Sequence, residues 1–378
     1  MLANHFNRSN YRSILITGSP LEKEGDMTYL LDEMPAHVEH VPSLSREISP
    51  VKDMRSLRAI ASILARFKPH IVHTHTAKAG FIGRTAAILL GVRHILHTFH
   101  GHTFAHYFGA LKNRVFMSLE RMLSHWTSKV IAVSRQQVHD LADVYRIAPA
   151  SKVVEVPYGM NLGELLNCET KRDVLRREYR LTPDTTVVGI VGRLYAIKAH
   201  DFFILSAFEV LKKRKDVHFF IVGDGDERVK LEKMVKAEDA GANIHFLGWQ
   251  KDMTAAYAAM DILALTSFNE GSPFSLIEGM AAGLPAVSTP AGGVPDLFLD
   301  QKKDGNLRFA KNGILVDRRD PALFAEALVR LTDNVEARKK MGEEARRFAG
   351  AKFSYERLLN DMEDIYLDLV RWSAGTPA

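Results

Sequence analysis

The chain has 378 residues, of which 46% are apolar and 25% charged. That is the balance of a folded globular protein with core enough for about two to three domains, and it excludes a disordered chain. One cysteine, Cys168, excludes an internal disulfide or a multi-cysteine zinc site and suits a reducing compartment.

The most apolar stretches, such as Thr85 to Leu90, are far shorter than the roughly 20 residues that span a bilayer. Met1 to Arg12 lacks the apolar run of a secretory signal. A cytoplasmic, non-spanning protein is expected, possible contact with the inner face of the plasma membrane included. The net charge of +5 is uneven: residues 1–165 hold 19 Lys and Arg against 13 Asp and Glu, and 13 of the 16 histidines. This surplus suits an anionic membrane surface or a phosphorylated substrate. Nucleic acid is not expected, because no basic stripe is interleaved with stacking aromatics.

Along the chain, strand-like runs are Ser13–Thr17, His70–His75, His94–Phe99, Lys129–Ser134, Lys152–Val156, Val187–Val191, His218–Val222, Asn243–Leu247 and Asp261–Thr266. Most precede stretches with apolar spacing of three and four, as in Met54 to Phe67, Arg114 to Leu123 and Phe202 to Leu211. This alternation predicts α/β architecture with parallel sheets. The segment from Pro157 to Pro183 has no clear strand and reads as a linker between two doubly wound domains. The predicted division is 1–165 and 166–354, with a long amphipathic helix near Tyr355 to Trp372 that packs back on the first domain. Two such domains facing each other would bring their strand C-termini to one cleft, where ligands bind in open α/β sheets.

Two histidine-rich segments follow strands: His73 to Gly80 and His97 to His102. A buried, hydrogen-bonded ring is the ordinary reading of each histidine. Zinc on His73, His75, His100 and His102 is the sharper alternative, but no Asp or Glu lies near either segment in the sequence, which counts against it. Further on, Gly192-Arg193 ends a strand and Lys198 follows. Two cations there can neutralise a diphosphate, with Arg giving a forked contact and Lys a point charge; solvated surface charges are the plain alternative. Val222-Gly223-Asp224-Gly225-Asp226 lacks the third glycine of a dinucleotide fingerprint, and its Asp-x-Asp is a candidate metal pair.

The strongest signal is Ser267-Phe268-Asn269-Glu270-Gly271-Ser272-Pro273-Phe274-Ser275-Leu276-Ile277-Glu278, continuing Gly279-Met280-Ala281-Ala282-Gly283-Leu284-Pro285. Pro273 suits a first helical turn and Ser272 its N-cap, so the amides of 272 to 275 would face a ligand. Glu278 then lies in a helix otherwise apolar nearly all round, a costly place for a carboxylate with no partner. The competing reading is a capping box of Ser275 with Glu278, against which Pro273 argues by starting the helix too early.

Glu270 and Glu278 in this frame resemble the signature of the retaining GT-B glycosyltransferases of family 4, and the likeness extends over most of the chain. It implies two Rossmann-like domains, sugar-hydroxyl contacts at Glu270, ribose contacts at Glu278, and a donor-binding loop of Gly271, Ser272, Pro273 and Phe274 that offers its backbone amides, Pro273 having none to give. Many relatives carry Phe in place of Ser272. Gly192, Arg193 and Lys198 would meet the donor diphosphate, and Gly223 and Asp224 would form a turn near the nucleotide base without a metal. The histidine segments resemble a bacterial branch tied to surface polysaccharides. On that likeness His100 reaches the donor sugar, and His75 and Lys78 lie on the acceptor side.

The implied activity is metal-independent, retaining transfer of a hexose or N-acetylhexosamine from a nucleotide diphosphate sugar, with UDP expected, to a lipid-linked or saccharide acceptor. No cofactor is implied. An epimerase acting on a UDP-N-acetylhexosamine and an inactive donor-binding relative are the alternatives. The family also places a strand, a Gly-rich turn and a helix before a segment like Tyr11–Gly18, where this chain has about ten residues. The expectation is therefore an N-terminal sheet that lacks its central first strand, with the unpaired edges that follow.

Overall fold

The structure, a computed structural model, describes residues 2–8, 11–19, 37–45, 47–100 and 110–374. The chain forms two units, Met1–Pro157 with Leu358–Ala378, and Tyr158–Arg357. The division at Pro157 falls ahead of the expected boundary at 165. The reason corrects the linker reading: Leu162, Leu165, Cys168 and Leu175 are buried in the core of the second unit. Arg172 and Arg176 clamp the stretch down, both bonding Asp261, at 2.7 and 3.3 Å. Asp261 also accepts the amide of Val187 at 2.8 Å, so this segment is tied to the start of two strands.

In the first unit, β1 (Ile14–Thr17) pairs in parallel with β2 (His37–His40), and β3 (Ile71–His75), β4 (His94–Phe99), β5 (Lys129–Ala132) and β6 (Val153–Glu155) form a second parallel sheet in that order. All six residues of β4 are buried, as befits a strand covered on both faces. Among the described residues no strand pairing joins the two sheets, and β1 and β3 each have one partner. Apolar packing crosses the division all the same, with Ile14 and Ile16 set against Val41, Ile60, Leu64, Val72 and Ile82. The helix Tyr355–Ala374 returns to this unit, where Met362 is buried with Phe6, Leu96, Ile131 and Val156.

The second unit holds β7 (Thr186–Val191), β8 (Val217–Val222), β9 (Ile244–Gly248), β10 (Ile262–Leu265), β11 (Ala286–Ser288), β12 (Lys302–Asp304), β13 (Leu307–Ala310) and β14 (Gly313–Val316). Their order is β12-β13-β14-β11-β10-β7-β8-β9, parallel except around β13. Alternate residues supply two cores, one on each face: Val187, Phe220 and Leu263 on one, Val188, Phe219 and Ile262 on the other. The chain runs outward from β7 to β9 and then returns to place β10 on β7's other side. The ends of β7 and β10 thus flank a topological switch point, the place where such sheets bind ligands.

Candidate active site

The turn after β7 and the turn after β8 are locked together. Gly192 donates its amide to Val222 at 3.0 Å, and Leu194 donates to the Asp224 carbonyl at 2.9 Å. Gly223 has φ +132, and a Cβ there would lie 2.0 Å from the Gly192 carbonyl oxygen, so only glycine lets the two turns close. The amide of Gly192 is thereby spent inside the protein. The Asp224 carboxylate accepts from the Gly225 amide at 2.8 Å and from Arg228 at 3.0 Å. No group of three or more His, Cys, Asp and Glu able to hold a metal is found among the described residues.

Arg193 is exposed, with its guanidinium carbon 5.1 Å from the centroid of the Tyr195 ring, and no ion pair engages it among the described residues. Lys198 takes a different position: its Nζ lies 2.6 Å from Glu270 Oε1. The hydroxyl of Ser267 donates to the same oxygen at 2.5 Å. Glu270, 8% exposed, is also pinned through its backbone, because Gly293 donates to its carbonyl at 3.1 Å. At Gly292, φ is +54 and a Cβ would lie 2.0 Å from that carbonyl. The switch point therefore brings together a free arginine and a lysine–glutamate pair from strand ends 72 residues apart in sequence.

Beyond β10, the helix Phe274–Ala281 has Pro273 as its N-cap, with no side-chain cap bond. This corrects the expected cap at Ser272, which lies one position before the cap and makes no cap bond. Phe274 also donates its amide to the Ser272 carbonyl at 3.0 Å, and Pro273 has no N–H to offer, so of residues 272 to 275 only Ser272 and Ser275 keep an amide for a ligand. The capping box of Ser275 and Glu278 is not formed either, since both lie inside the helix. Glu278 instead accepts from the Tyr257 hydroxyl at 2.7 Å. Burial pushes its carboxyl above the usual range, and the tyrosine bond pulls partly back. Gly271 is exposed, and the Phe274 ring lies 5.0 Å from that of Tyr158.

Three positioning residues escape sequence reading. Tyr257 and Ser267 orient the two glutamates. Arg319 donates to the carbonyls of Thr266 and Ser267 at 2.8 and 3.3 Å and lies 4.1 Å over the Phe268 ring, so it fixes the loop that carries Glu270. Ser267 stands in the glutamates' own motif with nothing to mark its role, and nothing local marks Tyr257 and Arg319, which arrive from other parts of the chain.

In the first unit, His73 bonds Tyr366 and Thr98, each at 2.7 Å. His75 Nδ1 and His100 Nε2 lie 2.9 Å apart with stacked rings. Burial first, then His100, pushes the His75 ring down to about 4. Burial lowers His100 too. His102 lies outside the described residues. Lys78 pairs with Asp53 at 2.5 Å and bonds the Glu47 carbonyl. The absence of nearby carboxylates thus holds in sequence but not in space, because the helix Pro50–Phe67 delivers Asp53.

Residues 185–334 match the family described as glycosyl transferases group 1, and residues 1–159 the glycosyl transferase 4-like domain. The UDP-Gal:alpha-D-GlcNAc-diphosphoundecaprenol alpha-1,3-galactosyltransferase of Escherichia coli is 28% identical over 92% of this chain and 88% of its own length. The capsular polysaccharide biosynthesis glycosyltransferase CapM of Staphylococcus aureus is 23% identical over 89% and 87%. Among solved structures, a Rickettsia africae glycosyltransferase superposes with a TM-score of 0.79 at 20% identity, covering 98% of this chain and 93% of that one. HepE of Anabaena, in complex with UDP, gives 0.75 at 19%, covering 93% and 92%. The fold is GT-B. The two matched models together span most of the chain, which belongs to the group 1 glycosyl transferases and is a transferase.

Proposed function

We propose that the chain moves a hexose or N-acetylhexosamine from a UDP-linked donor, with retention at the anomeric carbon and without a metal, to a lipid-linked or saccharide acceptor in cell-surface polysaccharide assembly. The observation that carries this reading is the Lys198–Glu270 pair at the switch point, with the exposed Arg193 on the same turn after β7 as Lys198. A diphosphate entering there meets Arg193 and draws Lys198 from Glu270, which frees a carboxylate oxygen for the hydroxyls of the donor sugar. As the bond from anomeric carbon to phosphate oxygen breaks, charge grows on the diphosphate, and both cations stabilise it. The turn at Gly192, Gly223 and Asp224 and the loop Gly271 to Phe274 frame the donor, and Glu278 takes the ribose. His100, His75 and Lys78 are the first unit's candidates for sugar and acceptor contacts.

The E. coli relative's name supplies a UDP-galactose donor and a diphosphoundecaprenol-linked acceptor, which supports the same chemical class here. No helix among the described residues is long and apolar enough to cross a membrane. The basic surplus of residues 1–165 favours work at the anionic inner face of the plasma membrane. The test is mass spectrometry of a lipid-linked acceptor incubated with the protein and a panel of UDP and GDP sugars, with and without EDTA. A mass gain of one sugar from a UDP donor, unchanged by EDTA, is expected. No product from any donor overturns the transfer reading, and a strict need for divalent metal overturns the metal-independent one.

A further inference from the structure

His200 opens the helix His200–Lys213, directly after Ala199, whose backbone is left-handed at φ 50 and offers no side-chain cap. The residue is 3% exposed, yet neither ring nitrogen has a hydrogen-bond partner. Burial, then the Lys198 charge, holds its ring down to about 4, with Asp201 pulling weakly the other way. The ring is therefore neutral at pH 7, with one N–H to give and one lone pair to receive. Buried polar atoms without partners are rare in folded chains and call for a reason. Nothing else in the second unit combines a buried ring with two idle nitrogens.

The ring's position supplies the reason. A Cβ placed on Gly192 would lie 4.0 Å from His200 Cε1 and 3.9 Å from Lys198 Cδ. Cε1 is the ring carbon between the two nitrogens, so the polar edge of His200 and the stem of Lys198 border the same spot over the Gly192 α-carbon. The 14-residue helix starts at this ring, and its dipole favours negative charge there, although the Phe202 amide is already taken by Asp201 and Ala199. We propose that His200 is a donor-contacting residue whose ring N–H donates to a phosphate oxygen of the nucleoside diphosphate, beside Gly192 and together with Arg193 and Lys198. This rests on the reading that the switch point holds the donor diphosphate.

A neutral donor adds to that site what two cations do not. It fixes the direction of one phosphate oxygen without adding charge that would hold the product back. Its position also differs from theirs, because the helix turn holds the ring while Arg193 is free in solvent.

Calorimetric titration with UDP on the full chain tests the proposal, comparing wild type with His200→Phe, which keeps an aromatic ring, and His200→Gln, which keeps an N–H. The Phe variant is expected to bind UDP roughly tenfold more weakly with an unchanged unfolding midpoint, and Gln to recover part of the loss. In wild-type protein labelled with 15N-histidine, UDP should shift the ring signal that is missing from His200→Gln. Unchanged UDP affinity in the Phe variant overturns the proposal, as does a ring signal that UDP leaves in place. If the Phe variant does not fold, the ring signal decides alone. A wild-type chain that binds neither UDP nor GDP removes the underlying reading as well, and so separates the two failures.

Discussion

The two units hold their polar groups in opposite ways. At the switch point of the second unit the groups are charged and in contact, Lys198 on Glu270, with Arg193 over the Tyr195 ring on the same turn as Lys198. In the first unit the site residues, Lys78 with its Asp53 partner excepted, are neutral rings in series: His73 between Tyr366 and Thr98, and His75 on His100. A charged pair can release its cation to an incoming anion and rearrange. A series of neutral rings keeps its geometry and answers chiefly to pH. The comparison assigns charge handling to one unit and rigid placement to the other.

The largest effect should come from breaking the charged contact. Glu270→Gln keeps the Ser267 bond but leaves Lys198 without its carboxylate, and turnover in steady-state kinetics should fall on the order of a hundredfold. Lys198→Met should cost similar turnover and also stability, by less than the about 3–5 kcal/mol of a fully buried pair, because the lysine side chain remains 26% exposed. Turnover within a few-fold of wild type in both would make the pair a clamp and erase the contrast between the units.

A smaller effect sharpens the ribose end. Glu278→Gln should weaken UDP by about tenfold with little change in the unfolding midpoint, since a charge-assisted bond is lost but Tyr257 still finds an oxygen. The carboxylate form binds, so affinity is present above the Glu278 pKa and lost as pH falls through it. Tyr257→Phe removes the one bond that lowers this raised pKa. The acid limb of UDP affinity should then move to higher pH, as titrations across the range would read. A limb that stays in place would show that the tyrosine does not tune the carboxylate.

At neutral pH the smallest effect belongs to the neutral rings. His75 is held down to about 4 when folded, against roughly 6.5 unfolded. The unfolded chain binds the proton more readily in that window, so stability is complete above it and declines as pH falls toward about 4. Each such ring costs up to about 1.4 kcal/mol per pH unit. Urea unfolding at several pH values should show a shallower decline for His75→Asn. Equal declines would mean that the ring is not desolvated.

Much of this site was legible because its residues sit in short frames. Glu270, Glu278 and Arg193 are marked by neighbouring glycines, and Lys198 by following Arg193 five residues on. The Lys198–Glu270 bond was not, since it joins two strands that become neighbours only through the sheet order. The four missed strands at the edge of the second sheet, with β2 in the first, are three to four residues long, too short for a period to show. The stretch after Pro157 read as a linker because it has no clear strand, and nothing in sequence marks Arg172 and Arg176 as anchors. Only the fold reveals Asp261 between them. Ser272 looked like a cap because Pro273 commonly takes the first helical position, and here the helix starts a residue later.

The helix Tyr355–Ala374 returns to the unit that the chain left at Pro157, and this sets an order of birth. Residues 158–357 are contiguous and can close their core while the chain is still being made. The first unit waits with Phe6, Leu96, Ile131 and Val156 uncovered until Met362 and its neighbours leave the ribosome. The half synthesised first is completed last, and a fragment ending near residue 157 would carry an open apolar face into solution.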